Sequence, residues 1–204
     1  MESLDVSIGA PPPERADAAR NRQHLLSAAR ELIGEQGGDK LTMDGLAERA
    51  GLGKGTVFRR FGTRAGIFQA LLDEQERGFQ EQVLSGPPPL GPGADPFERL
   101  VAYGEARAAF LLDNRDIARN AIDGTKPVPA GAHTPLSLVH IRVLLGSLAE
   151  PGADLDMLAL QLTAALDAPI LLYLSSADLG DAGQQTSDRL ARAWRDLVGR
   201  VCPP

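Results

Sequence analysis

Apolar residues recur every three or four positions along most of the 204-residue chain, the spacing that lines one face of an α-helix. Over residues 22–37 the stripe is Leu25, Ala29, Leu32 and Ile33, and Gly37-Gly38 stops it. Met43, Leu46, Ala47 and Ala50 share a face over 42–50, and Val57 and Phe61 lie four apart in the next segment. Thr63 then precedes a run whose apolar face is Ile67, Phe68, Leu71 and Leu72. Further helices are predicted over 96–112, 115–122, 136–148, 155–174 and 187–201. No segment alternates strictly enough to predict a strand, so the chain reads as all-α. Pro/Gly-rich stretches punctuate it at residues 1–13, 86–93 and 124–135. The first predicts a disordered tail, the second divides the chain, and the third predicts a long loop.

The segment 41–61 carries the chemistry. Thr42 is placed to cap a short helix, Leu41 and Leu46 to staple it, and Asp44 to meet the positive end of its dipole. Gly51 ends that helix and Leu52 plugs the turn. A second helix opens near Gly53 and buries Val57 and Phe61. Its other faces carry Lys54, Thr56, Phe58, Arg59 and Arg60. Three cations, a hydroxyl and an aromatic ring on an exposed face suit DNA. Two short helices about a glycine turn form the helix-turn-helix, which lays its second helix in the major groove.

The run Thr42-x-x-x-Leu46-Ala47-x-x-Ala50-Gly51-Leu52-x-Lys54-Gly55-Thr56-Val57-Phe58-x-x-Phe61-x-Thr63-Arg64, with the helix before it and the start of the helix after it, resembles the TetR family of bacterial repressors. The resemblance covers residues 20–72. It implies an N-terminal three-helix DNA-binding domain joined to a helical ligand-binding and dimerisation domain. The expected divisions are a tail over 1–14, the DNA-binding domain over 15–62, and the second domain over 63–204, with 63–85 as connecting helix. Gly53 stands where the family often has a capping serine, and is weaker there by a few tenths of a kcal/mol or so. Phe58 stands where tyrosine is usual; it lacks the phosphate-reaching hydroxyl but fits a thymine methyl. Gly38 stands where an aromatic residue is common. The expected DNA contacts are Lys54, Gly55, Thr56, Phe58, Arg59 and Arg60 at the groove. Thr42 and Arg64 are expected on phosphates, with Arg15, Arg20 and Arg22 as an N-terminal arm.

Charge distribution agrees with a DNA-binding head. The net charge is −6, yet residues 14–64 hold ten Lys/Arg against seven Asp/Glu, a balance of +3 that leaves −9 for the remainder. A basic head on an acidic body binds DNA at one end and repels it elsewhere. Apolar residues make up 43% of the chain and aromatics only 4%, enough for a helical core. No apolar run reaches a membrane span and no signal-peptide pattern opens the chain. Cys202 is the single cysteine, which leaves no intrachain disulfide. A cytoplasmic protein without cofactor is expected.

The body presents two further expectations. Residues 155–174 are apolar nearly all round, and a helix of that kind must be covered all round. The resemblance implies that the last two long helices pair with their copies, and Leu162, Leu166, Ile170, Leu190, Trp194 and Leu197 are the expected homodimer contacts. The resemblance also implies a small-molecule effector among the middle helices. Asp167, set in an apolar helix, needs a partner: Arg107, Arg142, His140, a ligand amine or backbone freed by Pro169. It fits a ligand contact and an interface pair equally. Tyr103, Arg107, Phe110, His140, Leu144 and Leu171 complete the expected ligand set. His133 and His140 straddle Pro135, so no metal pair is expected. There is no Gly-x-Ser-x-Gly, no Cys/His cluster and no phosphate loop, and no strand precedes Gly51-x-Gly53-x-Gly55, so no catalytic residues are assigned. A DNA-binding or architectural protein without effector is the alternative, and a helical enzyme a remote one.

Overall fold

The computed structural model describes residues 13–122, 135–150, 152–175 and 183–202, with side chains described except at 13–16, 135, 170–175, 183 and 184. Every regular element among them is helical: α1 (Pro13–Gln36), α2 (Met43–Ala50), α3 (Lys54–Phe61), α4 (Arg64–Ser85), α5 (Pro96–Asp113), α6 (Arg115–Asn120), α7 (Pro135–Leu145), α8 (Leu155–Ser175) and α9 (Gly183–Val201), with a single 3₁₀ turn at Gly38–Lys40. The chain divides by its contacts into two compact units, Met1–Ala70 and Leu71–Pro204. Helix α1 begins nine residues before the expected start at 22, because Pro13 suits a first turn and Ala16, Ala18 and Ala19 favour helix. The rest of the expected tail, and most of the loop with His133, lie outside the described residues.

In the first unit α1, α2 and α3 enclose Leu25, Leu26, Leu46, Val57 and Phe61. Thr42 Oγ1 accepts from the Gly45 N–H at 3.0 Å. Gly51 takes a left-handed φ of 63°, its N–H donating to Ala47 and Glu48, while the Leu52 N–H closes on Ala47 O at 3.0 Å. Thr63 Oγ1 accepts from the Gly66 N–H at 3.0 Å and starts α4. His24 donates from Nε2 to Ala50 O at 3.0 Å and ties α1 to the end of α2. Arg49 pairs with Glu35 at 2.5 Å and with Glu31 at 3.4 Å. That bond holds the Glu35 carboxyl below its ordinary range, Arg49 being the main cause.

The second unit packs α5 against α9 and α7 against α8 around Leu100, Tyr103, Ile141, Leu145 and Leu162. Asp95 caps α5 through the Phe97 N–H at 2.9 Å. Helix α8 runs on through Pro169. Trp194 is 4% exposed and its Nε1–H donates to Leu100 O at 3.0 Å. Gly104 makes room for it: a Cβ there would overlap the indole. Trp194, expected at the homodimer contact, is in this chain an internal anchor of α9 on α5. Leu162 and Leu166, at 3% and 7% exposed, are likewise buried within the unit. Leu190 and Leu197 are half-buried, and the side chain of Ile170 lies outside the described residues.

Candidate functional site

Helix α3 buries only Val57 and Phe61. Phe58 is 65% exposed, more than any other large apolar residue described. Exposing a phenyl ring to this degree gains nothing in folding, and its neighbours Gly55 and Arg59 are exposed too. At 100° per residue, Gly55 and Arg59 project farthest from the buried edge, with Phe58 on one flank and the half-buried Thr56 on the other. A Cβ at Gly55 would stand in open space, so the backbone there can approach a ligand surface closely. Gly53 caps α3 without a side-chain bond. Lys54 sits at the α3 N-terminus and pairs with Asp44 at 2.6 Å, both ends well exposed. Such an exposed pair is worth little and opens readily to a phosphate.

Five other expected contacts are placed as follows. Arg60 flanks the buried edge of α3, is exposed, and donates from Nη2 to Ala18 O of α1 at 3.0 Å. Arg64 donates from Nε to Leu41 O at 2.8 Å and from Nη2 to Gly38 O at 2.6 Å, with its guanidinium 4.9 Å over the Phe68 ring. It pins the 3₁₀ turn and the residue before the α2 cap to α4. Arg20 pairs with Asp17 within the exposed N-terminal part of α1, and Arg22 is half-buried. Thr42 spends its hydroxyl acceptor on the cap while staying exposed.

Residues 25–71 match the family model described as bacterial regulatory proteins, tetR family. Those residues are a TetR-family domain. No curated protein matches the chain. A TetR-family transcriptional regulator from Pectobacterium atrosepticum is similar in fold, with a TM-score of 0.71 and 20% identity over 93% of this chain and 98% of that one. NalD, the secondary repressor of the MexAB-OprM multidrug efflux pump in Pseudomonas aeruginosa, is similar at TM-score 0.58 and 19% identity, covering 91% and 98% of the two chains. No helix among the described residues is long and apolar enough to cross a membrane.

The second unit gathers polar side chains inside its apolar core. Arg107, 4% exposed, pairs through Nη1 with Glu76 Oε2 of α4 at 2.7 Å and lies 5.1 Å from the Phe110 ring and 5.6 Å from that of Phe79. Tyr103 is fully buried and donates to Ser137 Oγ at 2.5 Å; its ring lies 4.9 Å from that of His140, tilted by 48°. Burial pushes the Tyr103 hydroxyl up to about 12. Burial, helped by the Arg99 charge, lowers His140 to about 4, so its imidazole is neutral at pH 7. Burial also raises Asp167, against the pull of Arg107 and with the push of Glu76. Leu144 is buried beside them, and the side chain of Leu171 lies outside the described residues. His140 Nε2 and Arg107 Nε are buried without a hydrogen-bond partner among the described residues. Glu76 and Ser137 carry no sequence signal: a glutamate in a charged helix and a serine after a proline are ordinary.

Proposed function

We propose that this regulator is a two-fold dimeric repressor that reads a palindromic operator with α3 and leaves it when a small hydrophobic molecule enters the second unit. The DNA-reading part rests on one observation, the solvent face of α3, where Phe58 and Arg59 stand exposed around an uncovered Gly55. Arg59 and Thr56 are the proposed base readers, Phe58 a thymine-methyl contact, and Lys54 and Thr42 phosphate contacts. One α3 alone touches too few bases for a specific site, and a two-fold protein meets half-sites about one helical turn apart. The proposed division is a DNA-binding domain over 15–62 and an effector and dimerisation domain over 63–204.

The effector reading is supported by buried polar atoms left without partners, which a core tolerates at a cost of about 1–3 kcal/mol each and a ligand relieves. The effector accepts a hydrogen bond from Arg107 Nε, meets His140 Nε2, stacks among Phe79, Tyr103 and Phe110, and offers a donor to Asp167. Helix α4 contributes Arg64 to the first unit and Glu76 and Phe79 to the second. A ligand that displaces Glu76 from Arg107 therefore acts on the helix that pins the head. Selection of bound sequences from random DNA, followed by footprinting, tests the proposal. A symmetric site protected by the protein and released by a hydrophobic compound supports it; enrichment of no sequence overturns it. In a responsive system, Asp167→Asn blunts release while leaving operator affinity intact.

A further inference from the structure

The part of the first unit that presents α3 also presents a carboxylate. Asp44 lies in the first turn of α2, two residues after the Thr42 cap. Its Oδ2 stands 2.6 Å from Nζ of Lys54, the first residue of α3. Among the described residues no other acidic side chain forms an ion pair with α3: Glu31 and Glu35 are held by Arg49, and Asp17 by Arg20. The Asp44 side chain is 66% exposed and that of Lys54 73%, so the pair stands in water at the start of the reading helix. Folding gains little from it, because an exposed pair contributes little and the Thr42 hydroxyl already caps α2. Toward a polyanion the carboxylate is unfavourable, since it competes with phosphate for Lys54 and repels it.

We propose that Asp44 is a base-reading residue that selects cytosine at one position of each half-site. The inference rests on the reading of α3 as the recognition helix and adds a specificity determinant on α2. In a helix-turn-helix the N-terminal residues of the second helix reach base edges, and the Asp44 carboxylate touches that end of α3. When a phosphate takes Lys54, the carboxylate loses its partner and faces the groove with acceptor oxygens only. The base edges it meets differ in sign. Guanine offers O6 and N7, thymine O4 and a methyl group, and none of these donates. Adenine offers an amino group beside its N7 acceptor, which opposes a carboxylate. Cytosine offers its N4 amino group with no acceptor of its own beside it. Opening the Lys54 pair and bringing a carboxylate among phosphates costs the same on every sequence, and a cost common to all sites leaves preference unchanged. The hydrogen bond from N4 offsets that cost on cytosine alone, so the discrimination comes from the base contact. Thr56 and Arg59 remain readers farther along α3.

Selection of bound sequences from random duplex DNA by the full chain, wild type beside Asp44→Ala and Asp44→Asn, tests this. The wild type is expected to prefer cytosine about tenfold at one position of each half-site. Asp44→Ala loses preference at that position and at no other, and binds random duplex no less tightly than the wild type, because a carboxylate has left the phosphate surface. Asp44→Asn, which keeps the shape of the side chain, moves the preference to adenine, whose N6 and N7 an amide meets with acceptor and donor; it decides the matter if Asp44→Ala fails to fold. Base preferences that stay as in the wild type overturn the inference, whether affinity is unchanged or falls alike on every sequence, and leave α3 as the reader. A wild type that enriches no sequence overturns the reading of α3 and this one with it.

Discussion

Replacing Arg64 by alanine separates two roles that a sequence leaves superposed. Its guanidinium spans Leu41 O and Gly38 O at 2.8 and 2.6 Å and covers Phe68. Hydrogen bonds from a charged donor contribute about 1.5–3 kcal/mol apiece when lost from a partly buried site, and an exposed cation–π contact roughly 0.5–1 kcal/mol. The two bonds share one side chain, so the sum is not additive, and a net loss of about 2–4 kcal/mol is expected. In a domain this small, that lowers the midpoint of thermal unfolding by roughly 10 °C or more. Arg64→Lys recovers only part, because an ammonium cannot fork between two carbonyls. The assay is thermal unfolding beside operator binding over a range of salt. Because loss of the brace unfolds the 3₁₀ turn before α2, operator affinity falls together with stability. Unchanged stability with a salt slope shallower by about one unit would show a phosphate ligand and refute the brace.

Arg59→Ala relaxes preference at one operator base by about 1–3 kcal/mol, read by competition among single-base variants. Gly104→Ala drives a methyl into the Trp194 indole and destabilises the second unit by at least about 1–3 kcal/mol, measured by denaturant unfolding. His140 contributes a pH dependence of known sign. Its folded value of about 4 lies below its ordinary 6.5, so the unfolded chain takes up the proton first. The stability is fully present above about 6.5, falls as pH drops toward about 4, and levels below. Asp167, raised in the fold, acts in the opposite direction at the acid end, favouring the folded state until pH rises through its shifted value. The difference between wild type and His140→Phe isolates the histidine, and identical pH profiles would refute its buried neutral state.

What was legible in the sequence is what depends on near neighbours. The Thr42 cap, the Gly51 turn and the Thr63 start follow from residues three or four apart, and the structure has each bond. The free face of α3 follows from the spacing of Val57 and Phe61. Long side chains were less legible. A sequence records that Arg60 and Arg64 are cationic, but not that each reaches a carbonyl 42, 23 or 26 residues away. The apolar stripe of α9 shows that something covers it; only the notch at Gly104 decides that its cover is α5 of the same chain. The effector cluster was half legible. Tyr103, Arg107, His140 and Asp167 stand out as polar residues on apolar helices, whereas Glu76 and Ser137 join them across 31 and 34 residues.

The seating of Trp194 beside Gly104 bears on how the protein is made. The first unit closes with contacts among α1, α2 and α3, all near the start of the chain, and can assemble while synthesis continues. The second cannot, because the side chain that fills the Gly104 notch and meets the Leu100 carbonyl is 90 and 94 residues downstream of them. A growing chain thus carries a finished DNA-binding head ahead of an open-cored body, at elongation rates of about 5–20 residues per second. The interval is an exposure window of several seconds for chaperones and proteases. A nascent chain cut short before α9 would keep a head shaped for DNA without the body that governs it.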